Sequence, residues 1–260
     1  MKKRIILYGL MVLFLSLFLI FLILDISIFK MSYITSKLDE NLYYKTLYTQ
    51  INDKFDTELK ELNIEIDVKK IIDIDMIKND INNYLEGYYK KESYIIHSVE
   101  IETKSNKLID DYLIKNNIEI ENREIINQKI KSLISYYEKK VKASSILDKM
   151  PNSFIIFKNL CVPIMVISLI SIFAIYLYMI FKMQSKPLGR VFMMTSLSII
   201  MIQFIIQKFV SLKKLYTNDL IRISLDSIKN DVLYKFDIVC ILLFVGGLIF
   251  LIFEKMFERK

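Results

Sequence analysis

Histidine occurs once in this 260-residue chain, as His97 in YIIHSVE. Imidazole is the side chain most often used as a general base or metal ligand near neutral pH. A zinc site needs three or four His, Cys or acidic ligands brought together. No cysteine stands near His97, so a metal role is not expected of it. The acidic run DIDMIKND, starting at Asp73, imitates a calcium loop. It lacks the central glycine and the closing glutamate at the twelfth position, and reads better as a solvated helix start. GxSxG, Walker, HExxH and dinucleotide patterns are absent. These residues point away from an enzyme, and they imply no cofactor and no metal.

Two cysteines remain, Cys161 and Cys240, each two or three residues inside the same end of an apolar run. Equal depth makes a disulfide between them one reading, and two small buried thiols the plainer one. Cys161, in NLCVP, is too far from the N-terminus to belong to a lipid-anchoring motif.

The elements that must position these groups are set by hydrophobicity. The chain is 53% hydrophobic yet 25% charged, a mixture that suggests apolar segments joined to a water-exposed part. Four runs approach the roughly 20 apolar residues that cross a bilayer: Ile5–Leu24, Leu160–Phe181, Val191–Val210 and Ile238–Phe253. The first follows MKKR but is long for a cleaved signal and lacks a small-residue cleavage site, so residues 1–29 read as a signal anchor. Away from their ends the polar residues of the runs are Ser16, Ser168, Ser171, Thr195, Ser196, Ser198 and Gln203, with Gln207 and Lys208 near the outer end of the third and no Asp, Glu, His or Arg near mid-span. That argues against a proton-coupled carrier. The hydroxyls, with Gly246 and Gly247, suit close helix packing.

The net charge is +7, but its location decides its meaning. From Asp25 to Lys158 there are 21 Lys/Arg against 23 Asp/Glu, leaving the surplus beside the apolar runs. A nucleic-acid partner is therefore not expected; lipid headgroups are. Lys2, Lys3 and Arg4 precede the first run, and Lys182, Lys186 and Arg190 lie between the second and third, in each case without an acid. The positive-inside rule then puts both termini in the cytoplasm of a multi-pass cell-membrane protein. Five basic residues within Ser211–Asp237 dissent, but four aspartates offset them.

Residues 30–152 thus form an extracytoplasmic domain, followed by a three-helix membrane region, 153–260, with an outer amphipathic segment at 214–236. Apolar residues in the domain recur at spacings of three and four, as on one face of a helix. They mark stripes through Tyr44–Leu62, Ile77–Tyr88, Leu108–Leu113 and Ile126–Val141. The fold class is all-α, with four transmembrane helices and a helical bundle outside. NIEIDVKKII at Asn63 returns fifty-four residues later as NIEIENREII at Asn117. Asn63 and Asn117 suit left-handed helix ends. Ile64/Ile66 and Ile118/Ile120 suit a connector with one buried side, and Asp67 and Glu121 or Asn122 an N-cap. Two tandem αα-hairpins are expected, against chance similarity in a chain rich in Ile, Lys, Asn and Glu.

The basic N-terminus, the stretches YYKTLYTQINDKFDTEL and NDINNYLEGYY, and three closing spans resemble uncharacterised four-span membrane proteins of low-GC bacteria. That resemblance implies a topology and no functional residue. The span order is also similar to permease-like subunits of ABC-type exporters and cell-division complexes, although the inner loop MQSKPLG is short. The expected role is non-enzymatic: an outer domain binding a ligand or a membrane or envelope protein partner, as sensor, scaffold or accessory subunit. A permease-like subunit and a membrane immunity protein are the alternatives.

Overall fold

The structure, a computed structural model, describes residues 2–90, 94, 96–117, 123–143, 153–183, 187–209 and 219–258. Among them are nine α-helices, one 3₁₀ turn and no strand. In chain order these are α1 (Lys2–Asp25), α2 (Met31–Glu40), α3 (Tyr43–Lys60), the 3₁₀ turn Val68–Lys70, α4 (Ile74–Lys90) and α5 (Ser98–Lys115). There follow α6 (Arg123–Ala143), α7 (Ser153–Met183), α8 (Leu188–Phe209) and α9 (Asp219–Glu258). Two compact units result: Met1–Ile34 with Asn152–Lys260, and Thr35–Pro151.

The first unit contains the four helices long and apolar enough to cross a membrane, within α1, α7, α8 and α9. α1 packs on α7 and α8, and α8 on α9. Met11, Met179 and Val191 form one buried cluster; Ile23, Ile199, Val232, Phe236 and Cys240 form another. α8 and α9 meet at two glycines. A Cβ on Gly247 would lie 2.9 Å from the Gly189 carbonyl oxygen, and one on Gly189 would lie 3.0 Å from that of Gly247. Only residues without a side chain permit that approach.

The outer amphipathic segment expected at 214–236 and the span expected from Ile238 are, over the described residues, one helix. α9 runs unbroken for 40 residues. Neither glycine nor proline occurs between Asp219 and Val245, and the buried stripe Leu225, Ile228, Val232, Phe236, Cys240 keeps helical phase throughout. Nothing in the sequence tells the helix to stop.

In the second unit, α3 packs on α4 and α6, and both α4 and α5 pack on α6. The core holds Tyr44, Ile51, Phe55 and Leu59 of α3, Ile77, Ile81 and Leu85 of α4, Ile101 and Ile109 of α5, and Ile130, Tyr137 and Val141 of α6. The stripe expected through Tyr44–Leu62 belongs to α3, and a helix break at Asn41 and Leu42 separates it from α2. Leu42 takes the left-handed conformation (φ 55°), strained by roughly 1–2 kcal/mol for a residue with a Cβ. Asn41 holds the turn through Nδ2 to the Lys37 carbonyl at 2.6 Å. Beyond the break, Tyr43 and Tyr44 enter the core, each 1% exposed.

Asn63 and Asn117 are also left-handed, at φ 56° and 51°. At the end of α3 the Asn63 amide donates to the Lys60 carbonyl at 2.9 Å and the Ile64 amide to that of Leu59 at 3.0 Å. This is a Schellman motif, with Ile64 and Leu59 buried together as its apolar contact. Asn117 repeats the inner bond, to the Ile114 carbonyl at 3.3 Å. Ile118, Ile120, Glu121 and Asn122 lie outside the described residues. Ile64 is buried and Ile66 half-buried, as an extended connector requires. Asp67, expected to cap the next helix, instead accepts from the Lys69 amide and caps the 3₁₀ turn. Asp73 caps α4, accepting from the Met76 amide at 2.7 Å.

Two substitutions test these features. Asn63→Ala should destabilise the protein by about 1 kcal/mol while Asn63→Gly is near neutral, because only alanine pays the left-handed penalty; equal losses in denaturant melts would refute the assignment. Gly247→Ala should weaken α8–α9 packing by about 1–3 kcal/mol, read as a lowered thermal midpoint in detergent.

Candidate functional site

Helix α4 carries an acid on its buried face. Asp80 lies three residues after Ile77 and four before Tyr84, and is 0% exposed. A carboxylate removed from water must be hydrogen-bonded, and Asp80 is. The His97 amide donates to its two oxygens at 3.1 and 3.3 Å, and the Tyr137 hydroxyl donates to Oδ2 at 2.6 Å. His97 Nδ1 bonds Oδ1. One carboxylate thereby joins α4, the N-cap residue of α5 and α6. Burial, and then the bond to Asp80, drives the Tyr137 phenol well above its ordinary range, so the hydroxyl stays a donor.

The bond to Asp80 selects the His97 tautomer with hydrogen on Nδ1, leaving the Nε2 lone pair free to accept. His97 is only partly buried, with Nε2 4.0 Å from a Glu100 oxygen. It lines an open cleft of about 500 Å³ together with Asp73, Asp75, Glu100, Lys78 and Asn82. Three carboxylates outnumber one ammonium there, which gives the cleft a negative field. Lys78 is further engaged by Asp39 at 2.8 Å, and Asn82 accepts from the Tyr44 hydroxyl at 3.1 Å. Lys104 bonds Glu100 at 2.8 Å and holds its carboxyl below the ordinary glutamate value. No serine, threonine or cysteine is in the lining. The arrangement can accept hydrogen bonds and attract cationic groups. Among the described residues no group of three or more His, Cys, Asp or Glu could hold a metal ion.

Behind the cleft, Ser98 donates to Glu138 at 2.6 Å and Lys142 reaches the same carboxylate at 3.2 Å. The Ser98 bond is the larger cause of a lowered Glu138 pKa. A depressed carboxyl contributes stability above the ordinary glutamate value of about 4.3, and that stability is lost as pH falls through the lower folded value.

Of the residues singled out from sequence, His97 and the acids of DIDMIKND come together at the cleft; the others are not in its lining. Cys161 and Cys240 are free and buried, so the disulfide considered for them is not formed. Cys161 Sγ donates to the Phe21 carbonyl on α1 at 3.2 Å, and Cys240 Sγ to that of Ser196 on α8 at 3.7 Å. Each thiol turns to the helix that its own helix packs against, α7 on α1 and α9 on α8. Lys3, Arg4, Lys182 and Arg190 are exposed. Lys2 begins α1, and Lys186 lies outside the described residues. The Asp80–His97–Tyr137 cluster was open to sequence reasoning in one respect: an acid at helical spacing between Ile77 and Tyr84 occupies a core position. Compared with protein-family models, curated proteins and solved structures, the chain matches none.

Tyr137→Phe should destabilise the second unit by about 1–3 kcal/mol, the range for a bond to a charged group and its loss. Asp80→Ala should exceed it, because it strands the His97 and Tyr137 donors; hydrogen exchange over α4–α6 reads both. Ser98→Ala should raise the pH at which acid unfolding sets in, measured by circular dichroism from pH 7 downward.

Proposed function

We propose that the chain is a non-enzymatic, multi-pass protein of the cell membrane with both termini in the cytoplasm. Its second unit stands outside the cytoplasm as two tandem αα-hairpins, α3–α4 and α5–α6, and binds a ligand or a membrane or envelope protein partner through the acidic cleft. The observation that carries this reading is the contrast between the units. One is made of helices apolar on nearly every face; the other has a core of its own, a charged surface, and a cleft in which polar groups converge. The left-handed residues Asn63 and Asn117, each ending the first helix of a pair, support the tandem arrangement. The charge of the short flanks supports the orientation: Lys2, Lys3 and Arg4 at one end, and Lys182, Lys186 and Arg190 in the inner loop.

In a background with Cys161 and Cys240 replaced by serine, Lys107→Cys should react with an impermeant maleimide on intact cells. Ser185→Cys should react only after permeabilisation, and labelling of both from one side would end the topology. A photo-crosslinking residue at Asn79, in the cleft, should capture a partner that one at exposed Thr49 does not. Equal capture at the two positions would remove the cleft from the proposal.

A further inference from the structure

Ser16 on α1 and Thr195 on α8 are 5% and 0% exposed, and neither hydroxyl has a hydrogen-bond partner among the described residues. An unpaired hydroxyl in apolar surroundings is unfavourable. Other polar side chains of the same unit are paired. Ser196 donates to the Cys240 carbonyl at 3.0 Å, Ser198 to that of Met194 at 3.0 Å, and Gln203 to that of Leu233 at 3.1 Å. The two exceptions are on helices that pack against each other.

Their level is set by the two buried clusters. Met11 of α1 belongs with Val191 of α8, and Ile23 of α1 with Ile199 of α8. Ser16 lies between Met11 and Ile23, and Thr195 lies between Val191 and Ile199. On α8 the spacing of four puts Val191, Thr195 and Ile199 on one face; on α1, Ser16 and Ile23 are two turns apart and share a face. α1 and α8 are in direct contact.

We propose that Ser16 and Thr195 are the two walls of an internal hydration site, where one water molecule bridges α1 to α8 midway along the apolar helices. Water supplies two donors and two acceptors, so a single molecule satisfies both hydroxyls, as buried waters do for otherwise unpaired polar groups. The competing arrangement has each hydroxyl turned back on its own helix, to the Val12 and Val191 carbonyls, with no link between them.

The test uses the full chain in lipid bilayers. Solid-state NMR with labelled threonine should show a cross-peak from water to Thr195 that disappears in Ser16→Ala. Ser16→Ala and Thr195→Val should each lower the folded-to-unfolded ratio about threefold, the typical strength of an interhelical hydrogen bond in a membrane protein. The double variant should also fall about threefold, because either change releases the same water. A missing cross-peak, or a double variant that falls about ninefold as the product of two independent losses, overturns the site.

Discussion

A helix that is apolar on every face has no stable place in water, and four such helices in one chain constrain everything attached to them. In hydrocarbon each backbone polar group must be satisfied within the helix, and lipid tails offer no hydrophobic drive to bring helices together. Packing therefore has to come from close approach and from polar pairs across seams. Both are present. Gly189 and Gly247 bring α8 and α9 to backbone distance. Along the same seam Gln203 donates to the Leu233 carbonyl and to Asp237 at 2.9 Å, while Ser196 and Cys240 exchange bonds with each other's carbonyls. Where α1 ends, Lys235 of α9 bonds Ser27 at 3.0 Å and sits over the Tyr33 ring at 4.0 Å. Tyr33 in turn donates to Asp231 at 2.5 Å.

The second unit answers to a different solvent. Burial of Ile, Leu, Phe and Tyr faces is the favourable term there, at about 25 cal/mol per Å² of apolar surface removed from water. The ion pairs that decorate its helices, such as Lys60 with Asp56, are exposed and contribute little each. Asp80 is the exception because its carboxyl group is sealed from water. Its carboxylate would be strongly destabilising without its donors, and those donors come from residues 17 and 57 positions away. Loss of any one leaves a buried polar group unpaired, so three helices are held to a single arrangement.

The all-helical class and the four apolar helices were legible because they rest on local signals: hydrophobic run length, helical period, and the scarcity of glycine and proline. Asn63 and Asn117 were legible for the same reason, since asparagine is one of few residues suited to a left-handed helix end. What escaped was decided by tertiary contact or by the lack of a signal. Leu42 bears no sequence mark of a left-handed residue, yet the chain turns there to bury Tyr43 and Tyr44. The join near Asp237 looked like a boundary because polarity changes there, but polarity does not end a helix. Asp67 and Asp73 are both competent caps, and only the fold shows which helix each one serves. The Asp80 cluster needed helices far apart in sequence to meet, and His97 alone could not announce it.

An unbroken α9 has a mechanical meaning. Forty residues at 1.5 Å each make a rod of about 60 Å, and its apolar stretch Ile238–Phe253 takes up less than half of that length. A flexible joint between the two halves would absorb a twist as changes in φ and ψ. A continuous helix without glycine or proline has no such joint, so torsion applied near Ser224 reaches Val245 with its phase intact. The helix behaves as a shaft.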